Sequence, residues 1–133
     1  MDEYLLDSNA ASGLLRGNQP NLTRRSGVIS TRRQFIPSVV RAELLFGWQA
    51  SLDYSARIAD LRSFLNGYPS LPFDDVAAEE YGRLRAHLRV NGSMIGPNDL
   101  LIASIALAHG LILVTHNTDE FARVPGLRLE DWQ

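Results

Sequence analysis

The chain has 133 residues, 45% of them hydrophobic, enough apolar material for one ordinary domain with a full core. Its formal net charge of −2 argues against a general nucleic-acid coating protein, which would be basic overall, without excluding a nuclease. The absence of cysteine removes disulfides and thiolate ligands, so a metal would be held by oxygen or imidazole, which favours magnesium or manganese over zinc and suits a reducing cytoplasm.

Residues 3–6 read as a short buried strand, followed by a helix over 9–16 that stops at Gly17, with Asp7 at the junction. A polar, arginine-rich helical stretch over 21–31 leads into a second strand at 34–37, ended by its proline. Ser38 is placed to cap a helix over 39–50. Residues 53–65 carry apolar side chains at Ile58, Leu61, Phe64 and Leu65, a helical rhythm ending at Asn66-Gly67. Leu71-Pro72-Phe73 is a short extended piece, and Asp74-Asp75 opens a helix over 76–90 that closes at Asn91-Gly92. Gly96-Pro97-Asn98-Asp99 starts a helix running to His109 and stopping at Gly110. The run Leu111-Ile112-Leu113-Val114 is the clearest strand, continuous enough to be buried on both faces. A short helix over 119–122 and an extended piece at 127–129 complete the chain, with no internal repeat or interdomain linker.

Strands alternating with helices predict right-handed crossovers and a parallel sheet covered on both sides, an α/β sandwich. In such a sheet ligands bind beyond the carboxyl ends of the strands, where the crossover helices begin. Asp7 follows the first strand, Glu43 lies early in the helix after the second, Asp99 is in the first turn of its helix, and Asp119 follows the strand ending at Val114. Independent local readings thus bring these acids to one edge. Crowded carboxylates among apolar neighbours need a proton, a donor or a cation to be tolerated. A site for a divalent ion, Mg2+ or Mn2+, completed by water and substrate phosphate, accounts for them.

Each acid also has a plainer role. Asp7 can act only as an N-cap, worth about 1 kcal/mol, and Asp99 is favoured by the helix dipole alone. Glu43 is harder to explain that way, because its helical neighbours are Val39, Val40, Phe46 and Gly47. For the fourth position either Asn117 or Asp119 reaches inward while the other caps the short helix. Asp74 and Asp75 read as capping residues, and His87, His109 and His116 lack metal-ligand spacing.

All 13 basic residues are arginine, and Arg24, Arg25, Arg32, Arg33 and Arg41 concentrate in one stretch. The plain reading is a solvated helix face; the functional one is contact with an RNA backbone. No Walker-type phosphate loop, Gly-x-Ser-x-Gly elbow or Gly-x-Gly-x-x-Gly is present. No apolar run reaches the about 20 residues of a membrane span, and Met1-Asp2-Glu3 lacks the positive start of a secretory signal. The expectation is a soluble cytoplasmic protein.

Four segments in order resemble the motifs of the PIN-domain family, specifically the VapC-type ribonuclease toxins of type II toxin-antitoxin systems. They are Leu5-Leu6-Asp7-Ser8-Asn9, with Ser8 where threonine is more usual; Ala42-Glu43-Leu44-Leu45-Phe46-Gly47; Ile95 through Ala103; and Leu113 through Phe121 followed by Val124-Pro125-Gly126-Leu127. Where many members carry an aspartate two residues after the strand-ending threonine, this chain has Asn117, with Asp119 two positions later. That leaves three arrangements: Asp119 as fourth acid, the Asn117 amide oxygen in its place, or three carboxylates alone.

The resemblance implies a PIN-like α/β/α sandwich over residues 1–133 and a metal-dependent endoribonuclease. Asp7 and Asp99 would ligate Mg2+ or Mn2+, Glu43 would ligate or position the attacking water, and Asp119 would hold a second ion or an outer water, with Ser8, Asn9 and Asn117 supporting. It further implies a structured RNA substrate, a cognate VapB-like antitoxin and a homodimer. The rival readings are a DNA-directed or flap-type nuclease with the same site, and a noncatalytic PIN-like binding module.

Overall fold

The computed structural model describes residues 1–51 and 54–133, and side chains outside 52–57. It contains five short parallel strands: β1 (Tyr4–Leu6), β2 (Gln34–Pro37), β3 (Ser70–Leu71), β4 (Ile112–Val114) and β5 (Leu129–Glu130). They form one sheet in the order β3-β2-β1-β4-β5. Tyr4 is opposite both Gln34 and Ile112, Leu5 opposite Phe35 and Leu113, and Leu113 in turn opposite Leu129. The helices are α1 (Ser8–Arg16), α2 (Pro20–Gly27), α3 (Ser38–Gln49), α4 (Tyr54–Asn66), α5 (Asp75–Val90), α6 (Pro97–His109) and α7 (Thr118–Phe121), with a 3-10 turn at Thr31–Arg33. This is the expected α/β sandwich.

β1 lies in the middle of the sheet, which explains why all three of its residues are buried and why Leu5 and Leu6 have no accessible surface. The sheet is sealed by Leu22, Ile36, Leu61, Leu88, Ile102, Ile105, Leu113 and Phe121, each at most 1% exposed. Gln34 is equally buried, and its polarity is satisfied: Ser26 Oγ donates to Gln34 Oε1 at 2.6 Å, while Nε2 donates to the Ser26 and Ile29 carbonyls. That bonding fixes the end of α2 against β2.

Several boundaries differ from the sequence expectations for identifiable reasons. The first arginine-rich helix ends at Gly27, not residue 31; the chain then turns so that Gln34 can make its buried bonds, and residues 31–33 form a separate 3-10 turn. Ser38 is the first residue of α3 rather than its cap, because Pro37 occupies the cap position with extended dihedrals and offers no side-chain acceptor. β3 pairs through Ser70 and Leu71, one residue earlier than the 71–73 piece, and β5 runs through Leu129 and Glu130 rather than 127–129. The expected start of a helix at Asp53 lies outside the described residues; α4 is described from Tyr54.

α1 and α6 are closed at their C-terminal ends by Gly17 and Gly110, both left-handed at φ 68° and 64°, a conformation costly for residues with a Cβ. Asp74 caps α5 by accepting from the Ala77 amide at 3.0 Å, and His109 approaches it at 3.8 Å, consistent with structural roles for both.

Candidate active site

All the strands run in one direction, so their C-terminal ends share an edge, and the helices that follow β1, β2 and β4 start there. Asp7 immediately follows β1. Its backbone amide donates to the Val114 carbonyl at 3.2 Å, tying it to the end of β4, and its side chain caps α1, Oδ1 accepting from the Ala10 amide at 2.8 Å. The capping role is therefore real, and it coexists with burial: Asp7 is only 5% exposed. Burial pushes its carboxyl above the ordinary value and the nearby Glu43 charge adds to the rise, while the Thr115 hydroxyl and the α1 amides oppose it.

Glu43 projects from the second turn of α3 and is held by Ser8, whose Oγ donates to Glu43 Oε1 at 2.8 Å. Residue 8 thus needs a hydroxyl, which serine supplies as threonine would. Asp99 stands half-buried in the first turn of α6. Its carboxyl is raised to about 6, first by loss of water and then by the charge and hydrogen bond of Glu120, with further contributions from Asp7 and Glu43. These influences place four acids in one electrostatic neighbourhood.

The carboxylate of α7 that reaches this neighbourhood is Glu120. The expected fourth acid, Asp119, is exposed on that helix. Glu120 Oε1 accepts from the Gly96 amide at 2.7 Å and Oε2 from Asn117 Nδ2. The Gly96 bond, the largest influence, keeps the Glu120 carboxyl below its ordinary value, the complement of the rise at its neighbour Asp99. A methyl group added to Gly96 would stand 3.6 Å from both Asp99 Oδ2 and Glu120 Oε1, so the glycine lies directly against the pair. Asn117 contributes its amide nitrogen to Glu120. A sequence signal for Glu120 exists in retrospect. Glycine at the α6 cap has no side-chain acceptor, so a carboxylate from elsewhere in the chain is favoured at the amides there.

Among the described residues, Asp7, Glu43 and Asp99 form no salt bridge with arginine or histidine, so basic side chains do not compensate their charge. Nor do three or more His, Asp or Glu side chains among the described residues close into a ready-made ligand cluster. An all-protein cage, as for calcium, does not fit. The donor chemistry, carboxylate oxygen only and partly wet, fits a magnesium-type ion that uses one or two carboxylates and keeps several waters.

The arginine stretch does not act as one surface. Arg41 is fully engaged, donating to the carbonyls of Ile36, Leu65 and Tyr68 at 2.9–3.2 Å. Arg33 donates to the Asp2 carbonyl and lies over the Tyr4 ring, at the start of β1 and so at the opposite end of the sheet from the acids. Arg25 pairs with Glu130 at 3.6 Å and covers Trp132. Arg41, Arg33 and Arg25 thus serve different structural neighbours, whereas Arg24 and Arg32 are exposed and, among the described residues, form no ion pair.

Residues 4–127 match the PIN domain family model. The chain is 36% identical over 132 residues to the tRNA(fMet)-specific endonuclease VapC of Salmonella typhimurium, covering 99% of both, and 35% identical to Ribonuclease VapC2 of Rickettsia felis, covering 97% of both. Its fold superposes on the DNA-bound VapBC complex of Salmonella typhimurium with a TM-score of 0.93 at 33% identity and full coverage of both chains. The VapBC2 complex of Rickettsia felis bound to a promoter DNA fragment gives 0.90 at 34% identity, with 98% of each chain covered. The chain belongs to the PIN-domain family, in its VapC branch. The sheet flanked by helices is that family's α/β/α fold.

Proposed function

We propose that this protein is a Mg2+- or Mn2+-dependent endoribonuclease, the toxin of a toxin-antitoxin pair. The observation that carries the chemistry is the convergence of Asp7, Glu43, Asp99 and Glu120 at the strand ends, with no arginine paired to the first three among the described residues and with Asp99 raised to about 6. Structural acids satisfied by caps alone would not need to crowd in this way. The relatives named as VapC ribonucleases and the VapBC complexes support the RNA substrate and the antitoxin partner respectively.

In this reading Asp7 and Asp99 would hold the cation. When bound, the ion supplies charge neutralisation at the scissile phosphate and makes a water more acidic. Ser8 keeps the Glu43 carboxylate facing the site, so that Glu43 orients the attacking water and accepts its proton. Glu120, fixed by two donors, sets the charge and protonation of Asp99 and takes the outer position expected of Asp119. The α1 cap holds Asp7 in place while its remaining acceptor capacity serves the site. The protein would act as a cytoplasmic homodimer restrained by a VapB-like antitoxin; no helix among the described residues is long and apolar enough to cross a membrane.

The test is cleavage of purified cellular RNA by the antitoxin-free protein, with Mg2+ and with chelator, alongside Asp7→Asn and Asp99→Asn. Cleavage confined to the wild type with metal is expected. Full cleavage in chelator, or by both variants, would refute the reading, and cleavage of DNA but not RNA would favour the DNA-directed alternative.

A further inference from the structure

Two depressions flank one arginine beside the carboxylates. The larger, about 480 Å3, is lined by Ser8, Ser12, Arg16, Glu43, Gly47 and Trp48 among others. The second, about 260 Å3, also contains Asn9, Ser12 and Arg16, and extends past Gln19 to His116. Asn9, Ser12 and Arg16 recur at three and four residues along α1, which puts them on one helical face. Glu43 and Gly47 are four apart on α3 and present the facing wall. The larger groove therefore begins at the Ser8–Glu43 bond of the site itself and runs away from it between the two helices, with Arg16 on the ridge shared with the second.

Unlike the arginines that the sequence singled out, Arg16 lines the groove beside the acids. It is exposed, and among the described residues it has no ion pair. Trp48, partly buried against the core, lends the groove aromatic surface. At Gly47 an added Cβ would meet nothing within 4 Å, so the wall is open there without packing requiring it. A cation on a ridge, aromatic surface in an open groove and direct continuity with a phosphodiester-cleaving centre are the features that hold single-stranded nucleic acid, phosphate outside and base inside.

We infer that the α1–α3 groove seats the nucleotide next to the scissile phosphate of a single-stranded RNA segment, with Arg16 holding a backbone phosphate and the Gly47–Trp48 wall receiving the base. The occupant rests on the proposed ribonuclease reading, but its test does not require turnover. Single-strandedness follows from the groove, because bases paired in an A-form helix are not available to enter it.

The experiment measures fluorescence anisotropy of a labelled, mixed-sequence single-stranded RNA 12-mer with the full chain in the Asp7→Asn background and Mg2+, so that binding is read without cleavage. Arg16→Ala should weaken binding about tenfold and reduce the magnitude of the log K against log salt slope by about 0.7, the value for one lost phosphate contact on a single strand. Gly47→Leu should weaken binding with the slope unchanged, since it fills space and removes no charge. Arg32→Ala, in the turn before β2 at the far end of the sheet, should change neither. Equal affinities and slopes for Arg16→Ala and its parent would overturn the inference. So would unimpaired binding by Gly47→Leu, equal loss in Arg32→Ala, preference for duplex RNA, or no binding by the parent. Loss of cleavage in the wild type with these binding results intact would instead refute the ribonuclease reading alone.

Discussion

Glu120 Oε1 receives the Gly96 amide at 2.7 Å, and this bond ties the short helix α7 to the start of α6, where Asp99 resides. It makes the fourth acid a question of which α7 side chain is anchored. Glu120→Gln should lower RNA cleavage by roughly 10–100-fold, the usual scale for residues that support a metal ligand, while Asp119→Asn should stay within about twofold of wild type. Single-turnover rates at saturating Mg2+ separate the two; the reverse order would restore Asp119.

The raised carboxyl of Asp99 gives a pH signature. Its folded value, about 6, lies above the ordinary 3.8. The folded state therefore holds the proton more tightly, and the associated stability is fully present below about pH 4 and lost as pH rises through 6. In metal-free buffer Asp99→Asn should be more stable than wild type by about 1 kcal/mol at pH 7.5, a figure reduced for the group's partial exposure. The gain should vanish near pH 4. Urea unfolding at the two pH values checks this.

Saturating Mg2+ should raise the melting temperature of the wild type, because a ligand of the folded state stabilises it by mass action. Asp99→Asn should show a smaller rise. Differential scanning fluorimetry with and without the ion gives the comparison, and identical shifts would count against Asp99 as a ligand.

Ser8→Ala should slow cleavage about tenfold by releasing Glu43, whose Oε1 loses its 2.8 Å donor. Stability should fall by only about 1 kcal/mol, the net value of a typical hydrogen bond. Ser8→Thr should restore the rate, since it keeps a hydroxyl.

Arg41→Met should destabilise the protein by roughly 2–4 kcal/mol, because the carbonyls of Ile36, Leu65 and Tyr68 lose a shared charged donor. Its salt slope for RNA binding should equal that of wild type. A reduced slope would show that Arg41 reaches phosphate after all.

The fold was legible in the sequence where local signals agree. Val114 and its three apolar predecessors required a buried strand, and Gly17 and Gly110 marked helix ends that the structure places in the left-handed region. The convergence of Asp7, Glu43 and Asp99 was legible because strand ends and helix starts share an edge in a parallel sheet. Glu120 was missed because its anchor, the Gly96 amide, lies 24 residues away in sequence. Within α7 nothing local separates it from Asp119, since both are acids at the start of a four-residue helix. The arginines diverge for a related reason. Nearness along the chain groups Arg24 to Arg41, whereas the partners of Arg25, Arg33 and Arg41, from Asp2 to Glu130, are set by tertiary packing.

Because β1 takes one neighbour from residues 34–37 and the other from 112–114, the centre cannot assemble from an unfinished polypeptide. The first 100 residues contain Asp7, Glu43, Asp99 and Gly96, but neither β4, to which Asp7 is tied, nor Glu120, which accepts from the Gly96 amide. A fragment that stops short of β4 and α7 therefore carries three of the acids without the frame that gathers them.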